Sequence, residues 1–331
     1  MSYPLNDKFY TDTPDIEASR VGFGAGLKKA GELDERVVAL SADLAESTHA
    51  HLFAEEFPNR FVEMGIAEQN MATVAAGMAR AGKIPFATSF AAFNPARNWE
   101  QIKTTACLNN LPVKIVGSHS GLTDGPDGGT HQITEDIALT RVLPRMVVIV
   151  PGDSLEAEKA TLAMAKDLRP NYLRLAREKT PIFSTADSPF EIGKAYVLKV
   201  GTDITLFGTG TMTHQCLAAA KMLEAQGINA EVVHVPTIKP LDAETILGSI
   251  TKTGRAVSVE EAQIIGGLGG AIAELLCERM PAPLKRIGMD GVFGESGDYA
   301  QLIEHFGLNA KAITKKAADF AAAVPQYKPG F

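Results

Sequence analysis

The sequence predicts an α/β protein of two domains, each a mainly parallel sheet flanked by helices. Short apolar, β-branched runs alternate with helix-patterned segments along its 331 residues, as parallel strands with crossover helices require. The pattern lapses once, from Lys179 to Pro189, where Pro, Ser, Thr and Asp gather, and then restarts. That lapse sets a boundary near residue 187, giving domains 1–187 and 188–331. The length suits two domains at ~100–200 residues each.

In chain order, a helix is expected from about Asp15 to Ala30, then a buried strand from Val37 to Leu40 that ends in Ser41-Ala42-Asp43-Leu44. Phe61 to Met64 reads as a strand, followed by a small-residue helix from Ala67 to Ala81. A strand around Phe86 to Ser89 leads to a helix from about Arg97 to Leu108. Val113 to Gly117 and Met146 to Val150 are short, apolar and β-branched, the character of strands covered on both faces. After the lapse come strand Ile204 to Phe207, a helix ending near Gln226, and strand Glu231 to Val235. Ala256 to Glu260 is a further strand, and the glycine run Gly266 to Gly270 that follows suits close helix packing.

Composition narrows the function classes. The chain is 45% hydrophobic and 21% charged, with a net charge of −7, as in ordinary globular proteins. Its charges are interleaved, without the basic stripe of a nucleic-acid surface. No apolar run approaches the ~20 residues of a membrane-spanning helix. The N-terminus lacks a secretory pattern. Cys107, Cys216 and Cys277 fit neither a zinc spacing nor a disulfide framework. A cytoplasmic protein with reduced thiols is expected.

Three segments carry the chemistry. In Phe61-Val62-Glu63-Met64-Gly65-Ile66-Ala67-Glu68-Gln69-Asn70-Met71 a carboxylate, Glu68, opens an apolar helix just after a strand. Taken alone it suits the helix dipole. In Thr88-Ser89-Phe90-Ala91-Ala92-Phe93 two aromatics stand three apart beyond a strand, and alone they read as core. The loop from His119 to His131, with Asp127 within it, is glycine-rich and follows a strand end, where open α/β sheets place their sites. Its two histidines lack a third ligand, so no metal site is expected.

In that order the three segments resemble the transketolase superfamily, which includes deoxyxylulose-phosphate synthase and the beta subunits of 2-oxo acid dehydrogenases. The resemblance implies that Glu68 bonds the aminopyrimidine of thiamine diphosphate and drives the proton transfer that activates the thiazolium. Such chemistry needs a carboxyl group that is neutral or shares its proton, which burial can arrange. By match, Phe93 and Phe90 hold the pyrimidine, and Asp43 contacts the cofactor near a subunit interface. His131 and His119 face the substrate, and Asp127 reads hydroxyl stereochemistry. Arg20, Ser47, His119 and Arg177 match positions that meet at the sugar phosphate, where an arginine fork donates to two oxygens at once. Ala96 stands where longer transketolases often carry a third aromatic and shorter split forms a small residue. Arg174 reads as a structural salt bridge, and His49 and His51 as loop residues.

The Gly-Asp-Gly motif with a downstream Asn, which holds Mg²⁺ and the diphosphate in this family, is not found: Gly152-Asp153-Ser154 and Gly297-Asp298-Tyr299 both depart from it. The resemblance therefore implies the C-terminal subunit of a split transketolase. An N-terminal partner would supply the Mg²⁺ ligands in an α2β2 assembly acting on sugar phosphates. Two alternatives stay open: the beta subunit of a 2-oxo acid dehydrogenase, and a non-catalytic scaffold of the same fold.

Overall fold

A computed structural model describes residues 3–327. The first half runs β1 (Ile16–Ala18), α1 (Ser19–Leu33), β2 (Val37–Ser41), α2 (His51–Glu56), β3 (Phe61–Glu63), α3 (Glu68–Arg80), β4 (Ile84–Phe90), α4 (Trp99–Gln101), β5 (Lys114–Ser118), α5 (Asp136–Arg141), β6 (Val147–Ile149), α6 (Ser154–Lys166), β7 (Asn171–Arg174) and β8 (Lys179–Pro181). The second half runs β9 (Tyr196–Lys199), β10 (Ile204–Gly208), α7 (Met212–Glu224), β11 (Ala230–His234), β12 (Thr237–Lys239), α8 (Ala243–Thr253), β13 (Ala256–Gln263), α9 (Leu268–Arg279), β14 (Leu284–Met289), α10 (Tyr299–His305) and α11 (Ala310–Ala323). No helix among the described residues is long and apolar enough to cross a membrane.

The expected two parallel sheets are present. The first has the order β12-β6-β7-β5-β4-β2-β3 and is parallel except for β12, which pairs antiparallel with β6. The second has the order β14-β13-β10-β11-β9, with β9 antiparallel at its edge. Successive strand residues face opposite sides of a sheet. Val37 and Ala39 accordingly pack with Phe23, Leu27 and Phe53, while Val38 and Leu40 pack with Met71, Ala75 and Ile102. Both faces are thus covered, and the central strands read as continuous apolar runs.

The structure corrects some expected boundaries. The helix expected from about Asp15 begins at Ser19, because Ile16–Ala18 is a strand paired with Lys179–Pro181. The lapse after Lys179 therefore contains an edge strand. The segment expected as a helix from Arg97 starts at Trp99, and Ile102–Cys107 is wound as a π-helix. Strands β7, β9, β12 and β14 carry no strong apolar signal: Asn171-Tyr172-Leu173-Arg174 buries polar groups whose partners lie far along the chain. In the glycine run, Gly269 lies inside α9, where a Cβ would come within 2.5 Å of Ser258 Oγ on β13.

Helices α1 and α6 approach so closely that a Cβ on Gly22 would lie 1.8 Å from the Ser154 carbonyl oxygen. The obstacle is backbone, which cannot rotate aside. Gly22→Ala should therefore destabilise the chain by about 1–3 kcal/mol, the usual cost of overpacking, despite alanine's better helix propensity. Urea denaturation measures this, and an unchanged or raised midpoint would refute the close α1–α6 contact.

Candidate active site

The expected site residues follow the C-terminal ends of the parallel strands of the first sheet. Asp43 and Ser47 follow β2, Glu68 follows β3, Phe93 follows β4, His119 to His131 follow β5, and Arg177 follows β7; Phe90 is the last residue of β4. Strand β2 lies between β3 and β4, so the chain reverses its direction of travel across the sheet there. Such switch points leave a crevice beyond the strand ends. Arg20 reaches the same end from the first turn of α1.

Glu68 is the first residue of α3 and is 2% exposed, while its neighbours Gln69 and Asn70 are exposed. Arg97 Nη1 donates to Glu68 Oε2 at 3.1 Å, and the Asn98 amide donates to the Glu68 carbonyl at 3.0 Å. The Arg97 guanidinium also lies 4.5 Å from the Phe93 ring centroid, within cation–π range. Asn98 donates in turn to Asn94, whose own amide donates to the carbonyls of Ala87 and Val116. This ladder fixes the turn carrying Phe93 and Arg97 to two strands and a helix.

The aromatic groups form a continuous wall. Phe90 and Phe93 stack at 6.1 Å, and Phe90 stacks on His119 at 3.8 Å. His131 meets Phe93 edge-on at 5.6 Å, and its Nδ1 is 3.0 Å from Thr130 Oγ1. His119 has φ +58, in the left-handed region, and is buried. Its Nδ1 pairs with Ser118 Oγ at 2.9 Å. Burial, with Arg20, Arg177 and His49 adding, lowers its pKa to about 3. The ring is therefore neutral near physiological pH.

A second group lies on the other side of His119. Arg20 Nη1 donates to the Ser47 carbonyl at 2.7 Å. Burial and then the charge of Arg177 lower the Arg20 pKa, so two guanidiniums face one region. Arg177 Nη1 is 3.6 Å from Asp124 Oδ1 and 3.8 Å from Glu178 Oε1, beyond hydrogen-bond range. Arg20, Ser47, His119 and Arg177 are thus brought together. Asp127 is exposed and Asp43 stands at the rim with φ +59, its backbone N–H donating to Glu63 Oε1 at 2.7 Å.

The loop from His119 to His131 rests on the second half of the chain. Gly297 N–H donates to the Gly125 carbonyl at 3.1 Å, and the Gln132 amide donates to the Glu295 carbonyl at 3.0 Å. Gly128 has φ +71, and a Cβ there would meet Ser296 Oγ at 2.3 Å, so neither backbone nor space admits a side chain. Behind the loop, Glu261 accepts from the Leu122 N–H, the Thr211 hydroxyl and the Tyr299 hydroxyl. Arg174 forms the expected buried pair, with Asp136 at 2.8 Å, and also donates to the Glu261 carbonyl.

Sequence reasoning assigned no role to Arg97, Asp124, Glu63 or Glu261. Arg97 and Asp124 lie beside recognised residues, which was the available signal. Glu261 lies 139 residues from its partner Leu122, and nothing local announces that contact.

The family model for the transketolase pyrimidine-binding domain matches residues 18–182, and that for the transketolase C-terminal domain matches residues 193–313. A Methanocaldococcus jannaschii protein named as a transketolase C-terminal section is 43% identical over 300 residues, covering 90% of this chain and 94% of that one. The 6-deoxy-6-sulfo-D-fructose transketolase subunit of a Clostridium species is 42% identical over 291 residues, covering 88% and 90%. A solved split-gene transketolase, described as an inactive beta4 tetramer, superposes with a TM-score of 0.86 at 42% identity, covering 92% and 98%. The chain belongs to the transketolase family and carries its pyrimidine-binding and C-terminal domains.

The burial of His119 has a direct consequence. Its ring signals in a pH-titrated NMR spectrum should stay constant from pH 8 to pH 5, then move only as the pH approaches about 3. A midpoint near 6.5, the ordinary histidine value, would contradict the enclosed position beside two guanidiniums.

Proposed function

We propose that this chain is the C-terminal subunit of a thiamine-diphosphate-dependent transketolase, and that it moves a two-carbon ketol unit between sugar phosphates with an N-terminal partner. The carrying observation is Glu68, a buried carboxylate whose side-chain partner, the half-exposed Arg97, lies over the Phe93 ring of the aromatic wall. A buried acid beside ring faces fits an aminopyrimidine, which needs both a stacking surface and one group that exchanges a proton. Held there by Glu68, Phe90 and Phe93, thiamine diphosphate would supply the nucleophilic carbon that ketol transfer needs.

Each side chain then has a stated task. Glu68 bonds a pyrimidine ring nitrogen and shares the proton there. Phe93 and Phe90 hold the ring, and Asp43 contacts the cofactor from the rim. His131 bonds the donor near its reacting carbons, the neutral His119 lies further along toward the phosphate, and Asp127 reads a hydroxyl. Arg20, Ser47, His119 and Arg177 take the terminal phosphate; the mutual repulsion of the two guanidiniums is relieved when an anion lies between them.

Mg²⁺ and its ligands belong to the partner in this proposal, with an α2β2 assembly in the cytoplasm. The names of the relatives as a C-terminal section and a subunit support a divided enzyme. So does Ile66, two residues before Glu68, whose apolar side chain is 75% exposed beside the site, as an interface residue would be. The paired histidines and arginines favour a polyhydroxylated anionic substrate over the acyl transfer of a 2-oxo acid dehydrogenase.

Glu68→Gln tests the central assignment, because the amide keeps the shape but cannot pass the proton. In the reconstituted complex, exchange of the thiazolium C2 proton should slow by about 10²–10⁴, the usual worth of a general acid–base group, while cofactor affinity changes little. Exchange at the wild-type rate would remove Glu68 from this role.

A further inference from the structure

The anion subsite contains a carboxylate to which no matched role attaches. Asp124 is 1% exposed, and neither of its carboxylate oxygens has a hydrogen-bond partner among the described residues. Burying a charge is costly unless it is paired and hydrogen-bonded. The nearest cation is Arg177, whose Nη1 lies 3.6 Å from Asp124 Oδ1. Burial and the neighbouring Asp127 push the carboxyl up to about 6, which leaves it ionised at pH 8.

The local charge count follows. Arg20 and Arg177 contribute two positive charges, and the carboxylates Asp124, Asp127 and Glu178 contribute three negative ones, of which Asp127 is exposed to solvent. His119 is neutral there. Glu178 is half-exposed, so water and salt screen it. Asp124 is sequestered from water, and its field reaches the space beside Arg177 with less attenuation. A terminal group with one negative charge can use the guanidinium N–H donors fully. A second charge on that group is attracted by the arginines as the first is, but it also meets the repulsion of Asp124, so the carboxylate reduces the advantage a dianion would otherwise have.

We propose that Asp124 is a charge-selecting residue of the anion subsite. It biases the site toward ketoses whose terminal group is a monoanion, such as a sulfonate, relative to a phosphate dianion. This rests on the reading of Arg20 and Arg177 as the anion ligands. One extra unit charge at roughly 8 Å, in a medium of effective dielectric about 30, corresponds to a factor on the order of ten in affinity.

The test uses two ketoses that differ only in their terminal group, phosphate or sulfonate, titrated calorimetrically into the reconstituted complex at pH 8. The phosphate is then a dianion, its second pKa being about 6, and the sulfonate remains a monoanion. In Asp124→Asn the ratio of phosphate to sulfonate dissociation constants should fall about tenfold relative to wild type. Asp124→Ser, which also removes the charge, should do the same and stands in should the amide disturb folding. An unchanged ratio, or a loss of affinity shared equally by both ligands, overturns the charge selection. Arg177→Ala separates this from the underlying reading, since it should weaken both ligands. If Arg177→Ala leaves both affinities unchanged, the anion subsite itself is misplaced and the proposal falls with it.

Discussion

The site depends on one buried carboxylate, that of Glu261. It lies in the second half of the chain, is 2% exposed, and takes the Leu122 N–H from the loop that carries both site histidines. Thr211 and Tyr299 fill its other oxygen, while its backbone carbonyl accepts from Arg174, itself paired with Asp136. Burial pushes the Glu261 pKa up, and Arg174 with the hydroxyl and N–H donors oppose that shift. A buried charge is costly unless it is paired or hydrogen-bonded, and both oxygens of Glu261 are hydrogen-bonded. Here the completing groups come from both halves of the chain, so loop position and domain docking are one condition.

That condition explains why chemistry carried by the first sheet still needs the second. Strand ends place Glu68 and Phe90, because β3 and β4 are held by parallel neighbours, and the Asn94–Asn98 ladder holds Phe93 on the turn beyond β4. The glycine-rich loop has no such ladder beyond the bridge between Gly121 and Ile133. Its course is set by the segment from Gly294 to Gly297, which lies against Gly125, Gly128 and Gly129. His119 in turn stacks on Phe90 and adjoins the two arginines, so it joins the aromatic wall to the region the guanidiniums face. Its neutrality lets it do so without adding a third positive charge.

Much of this was legible in the sequence, and the limits follow a physical pattern. The alternation of apolar runs and helical segments gave both sheets, because parallel strands covered on two faces leave a continuous signal. Asn171–Arg174 has no clear strand signature, since its buried polar ends lean on distant partners, Lys114 for Asn171 Oδ1 and Asp136 for Arg174. Glu68, the phenylalanines and the histidines were found as a family motif, in which order and residue type suffice. Arg97 covers Phe93 across four residues of a helical turn, a contact that local spacing allows but does not announce. Asp124 beside Arg177 is a contact across loops, which no periodicity encodes. The strand Ile16–Ala18 has no local signature that separates it from the following helix, because its pairing with Lys179–Pro181 spans most of the first half of the chain.

The central claim is that this chain holds half of an active site: the pyrimidine and substrate groups, without the diphosphate and Mg²⁺ ligands. The most direct measurement is ketol transfer from hydroxypyruvate to an aldose phosphate, with thiamine diphosphate and Mg²⁺ present throughout. It is made for this chain alone, for an N-terminal transketolase subunit alone, and for the two mixed. The account predicts turnover only in the mixture, saturating as the subunits approach equal amounts. Turnover by this chain alone would contradict it.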